Sequence, residues 1–176
     1  MSCSILSTGR NLPCTKGVGG IKSIILVDYG LLGALSITGA EVTAIGSTPS
    51  GYEYLVKPGS SGLEQTITAS AENGTIYYDQ NVTVQLQKLD KETQAELQDV
   101  AKGNPHVFVQ DFNGNYFLVG AYNGADTSAG TIGTGTALAD FTGFNMTFTA
   151  QETLPAFFCA SAVISAITIG SSIDPS

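Results

Sequence analysis

The chain has 176 residues, 12% of them charged and 21 of them glycine, with a formal net charge of −8. That length suits one domain with a core of its own, and the 43% hydrophobic content argues against disorder. The scarcity of charge argues against a coiled coil, and a lone arginine (Arg10) with no adjacent basic pair argues against a protein that grips nucleic-acid phosphates.

Charge is unevenly spread. Residues 1–60 carry four basic and three acidic residues, residues 61–176 carry three and twelve, and none after Lys102 is basic. Residues 1–20 read as an irregular N-terminal arm, with Pro13, Gly17, Gly19 and Gly20. Met1 to Arg10 lacks the basic and apolar regions of a secretory signal, so synthesis in a cytoplasm is expected. Cys3, Cys14 and Cys159 have no metal-ligand spacing and read as free thiols. The sequons at Asn73, Asn81 and Asn145 then carry no meaning. Ile21–Asp28 reads as a strand covered on both faces, because Ile24 to Val27 are all apolar. Residues 30–50 leave strand, helix and loop open. Tyr52–Val56 and Leu63–Ala71 read as strands, the first closed by Pro58-Gly59.

Thr75–Gln87 is the clearest element. Ile76, Tyr78, Val82, Val84 and Leu86 share one parity; Thr75, Tyr77, Asp79, Asn81, Thr83, Gln85 and Gln87 share the other. This period of two predicts a strand about 43 Å long with one apolar face and one polar, nearly uncharged face. A helix is expected from Lys91 to Lys102, with Asp90 as N-cap, Glu92 in its first turn and a Leu97, Val100, Ala101 stripe. Gly103 and Pro105 stop it. A hairpin follows, His106–Phe112 and Asn115–Ala121 around Asn113-Gly114. Residues 123–137 read as a loop or loose strand. Phe144–Gln151 alternates again, with Phe144, Met146 and Phe148 on one side and Asn145, Thr147, Thr149 and Gln151 on the other. Leu154 to Ile169 is the most apolar stretch. As a helix it would span about 24 Å, short of a bilayer core, so a buried strand or arm is expected and no membrane span.

The expected fold is mainly β: an antiparallel β-sandwich or barrel with one flanking helix at about 90–102 and extended N- and C-terminal arms. The expected division is an arm at 1–20, a β domain at 21–153 and an arm at 154–176. Strands separated by turn signals carry this expectation.

Chemistry is sparse. A Ser-His-Asp or Cys-His site would need His106, the only histidine, and no G-x-S-x-G elbow accompanies it. His106 reads as a turn-capping or surface residue. One histidine and scattered cysteines give no zinc pattern. The Gly130–Gly135 run lacks the lysine and the context of a phosphate loop. No catalytic residue, cofactor or metal is expected, and the chain does not read as an enzyme. The polar strand faces carry Thr, Asn, Gln and Tyr where a solvated face usually carries Lys and Glu. They also lack the edge lysines that block sheet extension, a pattern suited to self-assembly.

The order of features resembles the bacteriophage tail tube family, which is related to the tubes of contractile injection systems. The residues that carry this are the strand Thr75–Gln87, the helix Asp90–Gly103, the hairpin Pro105–Gly124, the loop Ala125–Asp140 and the strand Phe141–Glu152. They cover residues 63–152, about half the chain. The segment Cys14–Lys22 (C-T-K-G-V-G-G-I-K) is also similar to phage structural proteins. The resemblance implies a small β-sandwich subunit that forms hexameric rings. Hairpins from each copy close a shared barrel, and rings stack through loops and arms around a channel for DNA ejection. It implies a virion location, other tail proteins as partners, and DNA that passes without specific binding. The candidate channel lining is Thr75, Tyr77, Asp79, Asn81, Thr83 and Gln85 on one strand and Asn145, Thr147, Thr149 and Gln151 on the other. Residues 1–20, 154–176 and 123–137 are candidate contacts between rings. Two other readings stay open. One is a different virion structural protein, such as a capsid decoration or head–tail connector protein. The other is a small-ligand or glycan-binding β-sandwich, which would want loop aromatics, whereas Tyr52, Tyr54, Tyr77, Tyr78 and Tyr122 fall mostly in expected strands.

Overall fold

The computed structural model describes residues 8–173. Residues 1–7, with Cys3 and the start of the expected N-terminal arm, and residues 174–176 lie outside the described residues. The fold is mainly β, with two sheets and two helices among the described residues. The elements are β1 (Ile21–Val27), β2 (Leu35–Thr38), β3 (Glu41–Ile45), β4 (Ser50–Leu55), β5 (Gly62–Ser70) and β6 (Thr75–Gln87). Then come α1 (Lys91–Val100), β7 (His106–Asp111), β8 (Tyr116–Val119), β9 (Asp126–Gly133) and β10 (Gly143–Glu152). The chain closes with β11 (Phe157–Cys159), α2 (Ser161–Ala166) and β12 (Thr168–Ile169).

One sheet has eight strands in the order β12-β4-β1-β7-β8-β11-β3-β2; the other has four, β5-β6-β10-β9. Pairing is antiparallel except for β11 with β3 and β12 with β4. The uninterrupted apolar run of β1 has the expected consequence, burial on both faces. Ile24 and Leu26 enter one core and Ile25 and Val27 the other. The first core joins the sheets: Val107 and Val109 of the larger meet Val82, Val84, Phe144 and Phe148 of the smaller, with Leu97 of α1. The second covers the far face of the larger sheet with Val163 of α2 and Ile167, packed with Phe108, Leu118 and Phe157.

The C-terminal segment corrects the sequence reading. It is not an extended arm after residue 153. β11 inserts between β8 and β3, α2 crosses the sheet face, and β12 pairs with β4 at the edge. Phe157, Cys159, Val163 and Ile167 are all buried. A side chain at Gly51 would lie 2.6 Å from Ile167 and 2.9 Å from Ile25, so the missing Cβ is what lets this segment close over β4. The single expected helix is joined by α2, which is too short and too uniformly small in its residues to show a helical stripe. By contrast, residues 8–20 are exposed and without regular structure, held at Val18 by the Asn113 side chain.

α1 ends at Val100, two residues earlier than expected, because the last turn tightens through Lys102 N–H to Asp99 O and Gly103 N–H to Val100 O. Its cap is Asp90, whose carboxylate accepts from Glu92 N and Thr93 N at 2.9 and 3.2 Å. Inside the closing hydrogen bond between Asp111 and Asn115, the β7–β8 turn has three residues, Phe112 to Gly114, where two were expected. Asp111 N–H bonds Asn115 O, and Gly114 sits at φ 87°. That is the turn-plus-bulge hairpin that glycine permits. Residues 30–50 contain the β2–β3 hairpin, and β9 lies within residues 123–137, of the two readings there the strand.

Candidate functional site

The smaller sheet faces the core with one side and solvent with the other. β6 and β10 pair so that Gln85 faces Asn145, Thr83 faces Thr147, Asn81 faces Thr149 and Asp79 faces Gln151. Eight of the ten residues expected to line a channel therefore form one continuous two-strand patch. Thr75 and Tyr77 lie beyond the end of β10, opposite Ser70 and Thr68 of β5 only.

Side chains tie the patch together in rows across the strands. Thr149 Oγ1 donates to Asn81 Oδ1 at 2.7 Å, and Ser128 Oγ of β9 lies 2.8 Å from Thr149 Oγ1. Gln151 Nε2 donates to Asp79 Oδ1 at 2.9 Å, and Thr68 Oγ1 of β5 donates to Asp79 Oδ2 at 3.3 Å. Such cross-strand pairs fix side-chain positions and register. β5 adds Glu64 opposite Asn81 and Thr66 opposite Asp79. The four strands contain Glu64, Asp79, Asp126 and Glu152 and no basic residue.

Among the described residues, both edges of this sheet are open. β5 and β9 each have one neighbour only, and neither contains Lys or Pro. β9 is almost wholly exposed. The β5–β6 hairpin projects past the end of β10 and leaves Ile67 and Ile76 61% and 55% exposed on the side that faces the core further along.

Sequence reasoning missed a buried polar cluster behind the patch. Gln80 and Glu152 lie on the core-facing parities of β6 and β10, yet are 1% and 4% exposed. Gln80 Oε1 accepts from Gly120 N and its Nε2 donates to Leu154 O. Glu152 Oε1 accepts from Tyr122 N and Asn123 N at 2.9 and 2.8 Å. Of the two readings of His106, turn-capping or surface, the structure supports the first. The His106 ring is 3% exposed, with Nδ1 2.6 Å from Gly120 O and Nε2 accepting from Gly30 N at 3.2 Å. Burial lowers its pKa below 6.5, against the opposing pull of the Gly120 carbonyl and the Glu152 charge. The signal for all three was a polar residue on an apolar parity, which the alternation alone does not interpret.

Among the described residues, no three His, Cys, Asp or Glu side chains gather as a metal site, and no helix is long and apolar enough to cross a membrane. Cys14 is exposed and Cys159 buried; burial, then the nearby Glu41, raises the Cys159 thiol to about 12. No protein-family model, curated protein or solved structure matches this chain.

Proposed function

We propose that the protein is a virion structural protein, the self-assembling subunit of a bacteriophage tail tube, in which rings stack into a conduit for DNA. The finer architecture in this reading is a two-layer β-sandwich with α1 at its flank. One observation carries the proposal: the four-stranded sheet has a hydroxyl- and amide-rich face with a few acidic groups and no basic one, and two open edges without lysine. Three antiparallel steps separate β5 from β9, so the two edges run in opposite directions. Copies related by rotation about one axis can therefore join β9 to β5 and continue the antiparallel alternation without a break. A heterologous contact of this kind closes into a ring and leaves no edge.

Six copies would supply about 24 strands, which at about 4.8 Å spacing give a backbone circle at least about 37 Å across. Strand tilt widens it further, leaving room for a duplex inside the side chains. The polar face then lines the channel. Acidic and neutral groups displace no counterions from DNA and give no grip on its phosphates, as passage requires. Other tail proteins would cap the stack, and no cofactor is involved.

The edges provide the test. Ala129→Lys with Thr131→Lys places two charges on β9 where the next copy would pair. Sedimentation velocity of the wild type is expected to show large species that grow with concentration. The double variant is expected to stay a subunit with an unchanged circular dichroism spectrum. Equal assembly of the two proteins would remove the edge pairing and, with it, the proposal.

A further inference from the structure

His106 joins two turns that lie far apart in sequence. Its Nδ1 faces the Gly120 carbonyl, which can only accept, so Nδ1 carries the proton. Its Nε2 faces the Gly30 amide, which can only donate, so Nε2 must be bare. The two main-chain groups thus select one neutral tautomer. We propose that His106 is an acid-released latch, which holds the Asp28–Leu31 turn against the Gly120–Gly124 turn at neutral pH and lets the first turn go when Nε2 is protonated.

The release is one-sided. A proton on Nε2 points at the Gly30 N–H, and that bond is lost. The Nδ1 bond to Gly120 O survives, since a cationic ring donates more strongly. The Gly120–Gly124 turn is also held independently by Gln80 and Glu152. Apart from the ring, the Asp28–Leu31 turn is held at its end by Ser47 Oγ, which donates to Leu31 O, and at its tip by Tyr29 alone. Tyr29 stacks on the His106 ring at 5.3 Å and donates its hydroxyl to Tyr122 O at 3.0 Å. Tyr29 and Leu31 are 56% and 47% exposed, whereas Leu32, just after the turn, is anchored in the second core. Asp28 to Gly30 can therefore swing out, between the buried Val27 and Leu31 held by Ser47, without opening the core.

The titratable groups around the ring are Tyr29 on its face, with Asp28 in the same turn, Glu152 from β10, and Tyr122 at the partner turn. β6 contributes only the uncharged Gln80. Glu152 favours the protonated ring, while burial opposes it more strongly, so the latch stays closed near neutrality and opens below pH 6.5.

Nitrogen-15 NMR of the full-length protein between pH 7.5 and 5.0 tests this, in solution for free subunits or by magic-angle spinning for assembled ones. Either form gives the same readout, so its failure is separate from failure of the tube reading. His106 is the only histidine, which makes its imidazole signals unambiguous. The expected result at pH 7.5 is a protonated Nδ1 and a bare Nε2. Below the imidazole midpoint, the ratio of closed to open latch seen at the Gly30 amide should fall about tenfold per pH unit. His106→Gln can make both bonds without titrating and should keep Gly30 protected throughout. A proton on Nε2 at pH 7.5, or a Gly30 amide indifferent to the imidazole midpoint, would overturn the proposal. If the Gln variant fails to fold, the wild-type titration decides alone.

Discussion

At Glu152 a carboxylate on the core-facing side of β10 holds the backbone of a turn from below. Glu152→Ala leaves the Tyr122 and Asn123 amides without their acceptor. Because the turn stays partly open to water, a loss of about 1–3 kcal/mol in total is expected, read as a lower urea midpoint with unchanged slope. His106 makes stability depend on pH. Its pKa is lowered in the folded protein, so the unfolded chain binds this proton more readily. The stabilisation is therefore complete above pH 6.5 and lost as pH falls through the folded-state value. Urea midpoints measured from pH 7.5 to 5.5 should decline in the wild type and stay level in His106→Gln. These residues were not legible in the sequence. A glutamine and a glutamate at strand positions look like surface, and the partners that let them and His106 be buried, the β8–β9 turn with Leu154 and Gly30, are remote in sequence.

Elements with strong alternation were legible. β6 spans the thirteen residues predicted for it, and β10 differs from expectation by one residue at each end. Period-two patterns survive folding because over most of each strand one face meets the core and the other does not, the end of β6 at Ile76 excepted. β9 was legible only as a loop or loose strand, since Gly, Ala, Ser and Thr are spread over both faces and its order comes from pairing with β10. β11, α2 and β12 were read as an arm because each is too short to show a period, and they are stabilised by burial across the sheet. The patch on β6 and β10 makes its own prediction. Asp79→Lys with Asn81→Lys removes the acceptors of Gln151, Thr68 and Thr149 but disturbs no core residue. In the tube reading such subunits still assemble, while particles carrying them eject DNA more slowly, as a single-particle ejection assay would show. Normal ejection and infectivity from assembled tubes would place this face elsewhere than the channel.

For the whole molecule, the two sheets differ in what they ask of a partner. The eight-stranded sheet also has unpaired edges, but these are the two-residue β12 and the four-residue β2, and its central strands are covered by the smaller sheet on one side and α2 on the other. The four-stranded sheet ends at two unpaired edges and projects a hairpin with exposed isoleucines. A soluble monomer usually blunts such edges with lysine, proline or a covering loop. Here β5 and β9 contain neither lysine nor proline, and in the proposed tube further copies complete both edges. Negative-stain electron microscopy of the purified protein at rising concentration tests it most directly. Hollow tubes with a regular axial repeat are the predicted result. A uniform small monomer at every concentration would contradict the claim.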